Sequence, residues 1–374
     1  MIDRSRPDYL LLLLVLILIA VGVVMVYSAS AILALEKLGS TTFFAKRQAI
    51  WAIISLGLIL LLTKVDYHRF EKLSPFILLV SFLLLVAVLF VPSARGASRW
   101  IKLGPVSFQP SELFKYALIL FMAYSLSKRQ GQIKELRFVL LPYFLILGIA
   151  SLLIMKQPHL GAVLLLSALL FSMLFVAGAK IRHLLLIVAP VVLGVFILVF
   201  FVGYKKARVD DYLRSLKDPL EGSYQMKQSV LALSSGEILG VGPGEGKAKL
   251  FFLPEPHTDF IFATTGEELG FVGASAILIL LLLLTARGMS IARGAPDDFG
   301  YLLAFGITFC IFAGVLINAG VVVGLLPTTG LPMPFLSYGG SSLVFTAAGI
   351  GILLNISRQT KYVPSHGISG RMRI

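Results

Sequence analysis

The sequence predicts an all-α, polytopic membrane protein with about ten transmembrane helices and one large extracellular loop, all within a single membrane domain over residues 1–374. Three observations predict it. Of the 374 residues, 57% are apolar and only 14% charged, and a mean hydropathy of +0.92 fits no water-soluble interior. Apolar runs of about 17 to 25 residues recur along the whole chain, each long enough to cross roughly 30 Å of hydrocarbon as a helix. The segments between them alternate in basic content, as the loops of a multi-pass protein do.

In chain order the helices are placed at 9–29, 47–63, 76–92, 112–127, 138–156, 160–178, 183–203, 266–286, 301–324 and 340–357. The first follows Arg4 and Arg6, and its apolar core is too long for a signal peptide, so it reads as a retained span. The seventh and eighth flank the long loop 204–265, which mixes charges, glycines, prolines and aromatics and is the expected functional insertion. The tail, 361–374, reads as a disordered cytoplasmic segment whose Arg371 and Arg373 meet anionic lipid.

Charge supplies the orientation. The N-terminus, the even-numbered loops and the tail carry 17 Lys and Arg, against 7 in the short odd-numbered loops and at their span edges. That asymmetry places both termini in the cytoplasm and turns loops 1, 3, 5, 7 and 9 outward. The formal charge of +14 is then a record of cytoplasmic loop retention, and no nucleic-acid partner is expected. The single cysteine, Cys310, lies in an apolar run and is expected to pack as a small hydrophobe.

The unusual polar sequence collects in the loops assigned to the outside. After Pro110, Glu112 and Lys115 lie one turn apart inside the fourth span, as a structural ion pair or as the wall of a polar cavity. Arg99 and Trp100 precede them on a short amphipathic hairpin, as interfacial anchors or substrate contacts. Glycines 240, 242, 244 and 246 resemble a phosphate loop but lack the flanking strand and helix of a nucleotide fold, while Lys247 and Lys249 carry charge suited to phosphate. Asp259 sits between His257, Thr258 and the apolar Phe260 and Ile261, just before a span, where a partly buried carboxylate makes a general base or a turn-forming cap. Glu267 and Glu268 follow two turns on, where carboxylates also favour a helix start. The charge-free ninth loop ends in Ser337, Tyr338, Gly339 and Gly340; as irregular backbone at membrane depth it is a tight connection or a wall for a polar headgroup. No metal-ligand spacing and no Ser-His-Asp elbow is visible.

Taken together, VYSAS (26–30), RWIKLGPVSFQPSE (99–112), QPHLG (157–161), SYQMKQS (223–229), LPEPHTDFIFATTGEELG (253–270) and PFLSYGGSS (334–342) resemble the SEDS family, whose members include FtsW, RodA and SpoVE. The wording around 253–263 and 326–342 is closer to FtsW or SpoVE than to RodA. The resemblance implies a ten-helix peptidoglycan glycosyltransferase that polymerises lipid II at the outer face of the membrane. It further implies a catalytic aspartate at Asp259, a class B penicillin-binding protein as partner, and other membrane proteins of a division or elongation complex. One departure is visible: the family commonly reads QPDLG where this chain has His159, so that an expected Lys115 to aspartate contact becomes Lys115 to imidazole.

The chemistry of the residues agrees with that implication. A lipid diphosphate leaves as a stable anion, so transfer needs one carboxylate to take a proton from the incoming sugar hydroxyl and cations to stabilise the phosphates. Asp259 is assigned the base role, Lys249, Arg208 and Lys247 the phosphates, and Arg99, Trp100 and Glu112 the entrance. A divalent cation, Mg2+ or Mn2+, is expected as cofactor and no organic one. Two rival classes stand beside this one. A flippase would use the intramembrane Lys115 but should show paired broken helices from repeated halves. A non-enzymatic scaffold would need only helix faces.

Overall fold

A computed structural model describes residues 6–91, 99–104, 106–133, 135–186, 193–194, 201, 206–215, 218, 221–250 and 252–360. It is a helical bundle with one two-stranded hairpin. In chain order the helices are α1 (Tyr9–Leu38), α2 (Phe43–Lys64), α3 (His68–Ala87), α4 (Pro110–Lys128), α5 (Leu136–Lys156), α6 (Leu160–Val176), α7 (Lys206–Ser215), α8 (Tyr224–Ser235), α9 (Ile261–Arg293), α10 (Asp298–Val322) and α11 (Gly340–Gln359). Six of these segments are long and apolar enough to span a membrane among the described residues, and α6 and the 142–156 part of α5 are shorter apolar helices. The predicted spans match helices at nine of the ten places; the seventh, 183–203, lies largely outside the described residues, as does the 361–374 tail.

Local chemistry sets the helix ends. Asp8 caps α1 by accepting from Leu11 N–H at 2.9 Å, and Gly39 in left-handed conformation stops it nine residues beyond the predicted end. Helix α3 begins at His68, ahead of Pro75, where the sequence reading started it after the proline. Pro75 cannot donate to the Glu71 carbonyl, and the Ser74 hydroxyl does so instead at 2.9 Å, which lets the helix continue through it. Pro110 occupies the first turn of α4, which follows the antiparallel hairpin of β1 (Ile101–Leu103) and β2 (Val106–Phe108).

Helices α10 and α11 are the most buried of the spans and form the centre of the bundle. Polar residues fall into two groups at opposite helix ends. At one end, Asp8 pairs with Arg287, the Tyr67 hydroxyl donates to Asp297, and Asn355 accepts from Tyr67 N–H at 2.9 Å. Burial, and then the Asp297 carboxylate, push the Tyr67 phenol above its ordinary range, so this hydroxyl stays a donor. The other end carries the hairpin, the 236–260 segment and the 325–339 connection, which holds the candidate site.

Candidate active site

The turn before α9 places Asp259 on the wall of a cleft of ≈ 520 Å³ lined also by Arg99, Gln225, Asn318, Thr328, Thr329 and Gly330. The loop carrying Asp259 is held on both sides. Asn318, buried on α10, donates its side-chain amide to the Asp259 carbonyl at 2.8 Å and to the Leu331 carbonyl at 2.8 Å, tying the two walls together. Ser337 donates to the Thr258 carbonyl at 2.6 Å, and Tyr338 N–H donates to the His257 carbonyl at 2.9 Å. Thr258 turns its hydroxyl back on Glu255 at 3.3 Å. The backbone around Asp259 is therefore fixed by neighbours while its side chain faces the cavity.

Arg99 stands on the same cleft, held by the carbonyls of Gln157 at 2.8 Å and Pro158 at 2.5 Å. Two carbonyl partners orient the guanidinium, so the cleft is lined by a held cation and a carboxylate together with amide and hydroxyl groups. Such a lining is suited to a sugar attached to an anion. Trp100, beside it, is exposed, consistent with an interfacial anchor.

His257 is buried with its ring 4.6 Å from that of Phe44 and 5.6 Å from that of Tyr338. Its Nδ1 is buried without a hydrogen-bond partner. Burial holds the imidazole below its ordinary range, with Lys37 adding to the effect and Glu255 opposing it. An unfolded chain takes up a proton at this residue at about pH 6.5 whereas the folded chain resists it, so the stabilisation is full above that pH and lost as the medium turns more acid. The melting temperature of the native protein should therefore fall on acidification below about pH 6.5, and His257→Phe, which keeps the ring contacts, should flatten that decline.

Several sequence-predicted contacts sit elsewhere than expected. Lys249 is buried in an ion pair with Glu268 at 2.6 Å and also donates to the Gly244 carbonyl at 2.6 Å and Ser28 at 3.2 Å. Its donors are thus spent inside the protein, which corrects its assignment to phosphate. Helix α9 starts at Ile261, five residues before the predicted 266, so Glu267 and Glu268 are buried within it and do not reach the cleft. Their carboxylates accept the loop amides of Lys247 at 2.7 Å, Ala248 at 3.1 Å and Gly244 at 3.0 Å. The glycine-rich loop is thus an anion-binding nest already filled by the chain's own carboxylates. Gly240 serves close packing: its φ is +84°, and a Cβ there would meet the Glu268 carbonyl oxygen at 2.2 Å.

The Ser337–Gly340 segment likewise braces the fold instead of lining the cleft. Gln48 donates to the Ser337 carbonyl at 3.3 Å and accepts from Gly339 N–H at 3.4 Å, and a Cβ on Gly340 would meet Trp51 at 2.4 Å. Lys115 has an ion pair with Glu112 at 2.8 Å on its own helix. It lines a small separate cavity with Tyr116, Cys310, Ser342 and Thr346. His159 is buried at the start of α6, with its carbonyl accepting from Ala162 N–H at 3.2 Å. Lys247 is exposed. Arg208 lies on α7, and its side chain is outside the described residues.

Sequence reading missed Asn318, Gln225, Thr328 and Thr329. Gln225 belonged to the SYQMKQS string, and the threonines sit between Pro327 and Pro332, so a signal was present for those three. Asn318, one amide within an apolar helix, offered only its cost of burial as a clue. Replacing it with Leu leaves the Asp259 and Leu331 carbonyls without their donor. The variant should lose about 1 to 3 kcal/mol of stability, and a fall in turnover larger than any change in KM should accompany it, checked by thermal unfolding and steady-state kinetics.

A profile described as cell cycle protein, for FtsW, RodA and SpoVE, matches residues 8–362. A probable peptidoglycan glycosyltransferase FtsW of Geobacter sulfurreducens is 43% identical over 364 residues, 96% of this chain and 97% of that protein. Stage V sporulation protein E of Bacillus subtilis is 43% identical over 362 residues, covering 96% and 99% respectively. Among solved structures, the rod shape determining protein RodA of Thermus thermophilus superposes with a TM-score of 0.70 at 30% identity, over 95% of this chain and 97% of that one. A chain from work on the structural coordination of polymerization and crosslinking by a peptidoglycan synthase complex gives 0.77 at 32% identity, over 94% and 98%.

Proposed function

This chain belongs to the family of FtsW, RodA and SpoVE, and from that premise we infer its reaction: it is a peptidoglycan glycosyltransferase. It polymerises lipid II into glycan strands for the septal wall. The observation that carries the reading is the placement of Asp259 and Arg99 on one cleft lined also by the amides of Gln225 and Asn318, the hydroxyls of Thr328 and Thr329, and the apolar Phe260, Val321 and Leu331.

Asp259 accepts the proton of the incoming sugar hydroxyl, and that oxygen bonds to the anomeric carbon of the donor as the diphosphate departs. Arg99 lies where it stabilises the negative charge gathering on the leaving phosphates. Asn318 holds the Asp259 backbone so that the carboxylate needs little rearrangement at the moment of transfer. The site's residues fit a divalent cation of limited protein ligation. Among the described residues no group of three or more His, Cys, Asp or Glu is gathered as a cage, and Asp259 is the acidic member of the cleft lining. Mg2+ or Mn2+ would then be held by that carboxylate and the substrate's own diphosphate, supplying charge neutralisation.

The charge asymmetry of the loops supports an orientation in the inner membrane with both termini in the cytoplasm and the cleft opening outward. A class B penicillin-binding protein is the partner that crosslinks the product, and proteins of the division complex position the pair. The test gives purified protein, alone and with that partner, lipid II and Mg2+, and resolves the products on a gel. Glycan polymer is expected, and a chelator should suppress it. Lipid II crossing between leaflets with no polymer under any condition would replace this reading with transport.

A further inference from the structure

The break in α9 and the loop beside it form a surface that nothing in the reaction uses. At Gly270 the backbone leaves helical geometry, with φ 67° and ψ −170°. In an unbroken helix Phe271 and Val272 would donate to the carbonyls of Glu267 and Glu268. Here the 237–242 segment meets all four groups. Phe271 N–H donates to the Glu237 carbonyl at 2.9 Å and Val272 N–H to that of Ile238 at 3.1 Å, while the Glu267 and Glu268 carbonyls accept from Val241 at 3.0 Å and Gly242 at 3.1 Å. The side chains over this stitch are apolar and outward: Ile238 is 68% exposed, Leu239 79%, Phe271 70% and Val272 54%.

Water would satisfy a broken helix without such pairing, whereas hydrocarbon requires every backbone group to find a partner within the protein. The patch is also continuous with the exposed apolar face of α9 at Ile279, Leu282 and Leu283, the face of a membrane-spanning helix. We propose that the 238–241 turn is immersed in the bilayer, its apolar side chains covered by lipid acyl chains, as a shallow re-entrant element stitched into the break of α9. Exposed Glu237, Glu245 and Lys247 mark the headgroup level around it. The glycine loop packed on Glu267 and Glu268 is thereby anchored to the membrane surface on one side and to the bundle on the other.

The test uses the full chain, whose native thiol Cys310 is buried and is expected to resist labelling. Leu239→Cys and, as the water-side control, Lys247→Cys are each labelled with an NBD fluorophore and placed in phosphatidylethanolamine and phosphatidylglycerol vesicles. The position-239 emission should shift to shorter wavelength than that at 247, and should be lost on adding doxyl-labelled phosphatidylcholine but not iodide. Quenching by iodide at 239 to the extent seen at 247 would overturn the proposal, and so would shielding from both quenchers, which would mean a protein cover. Unchanged gel-filtration behaviour of both variants establishes that they are folded, and since the readout is not enzymatic, it stands apart from the reaction assigned above.

Discussion

Asp259→Asn should reduce the rate of glycan polymerisation by about two to four orders of magnitude, the range typical of removing a positioned general base. That corresponds to about 3 to 5 kcal/mol of lost transition-state stabilisation. The substitution is close to isosteric. The contacts that fix this turn run through the backbone carbonyls of Asp259 and Thr258, to Asn318 at 2.8 Å and Ser337 at 2.6 Å, and an amide side chain leaves both in place. Thermal unfolding should accordingly stay near that of the native protein, while single-turnover rates collapse. Asp259→Glu should fall between the two, because the base is retained but displaced by a methylene.

Lys249→Met should cost about 3 to 5 kcal/mol, since it strands the Glu268 carboxylate in a buried site. The pair is enclosed, and among the described residues the Ser28 hydroxyl and the Gly244 amide are left to solvate the remaining charge at 2.6 to 3.0 Å. Glu268→Gln in the same background should recover part of the loss, because two neutral groups tolerate burial better than one charge. Membrane proteins commonly unfold irreversibly, so the half-life of monodisperse protein in detergent at elevated temperature is the suitable measurement. An exposed Lys247→Met, by comparison, should leave that half-life unchanged.

The spans were legible because a bilayer makes a simple demand, about 20 apolar residues per crossing, and nine of the predicted positions coincide with helices. Their ends were less so. Pro75 reads as a stop, yet the Ser74 hydroxyl takes over the freed carbonyl, and that rescue depends on a rotamer that sequence does not display. Asp259 read in sequence as a base or a cap, and the base role came from the family resemblance; its place on the cleft wall comes from the fold. Lys249 misled for the opposite reason: in sequence it looks like a loop cation, and only the fold brings Glu268 and Ser28, respectively 19 and 221 residues away, against its ammonium group. The glycine loop misled in the same way, since its amides do bind anions, but the anions are the carboxylates of α9.

The most direct measurement is a side-by-side reaction of native protein and Asp259→Asn, matched for folded protein, with lipid II, Mg2+ and the penicillin-binding partner. A ladder of glycan strands from the native protein and none from the variant is the predicted result. Strands of equal length and yield from both would contradict it.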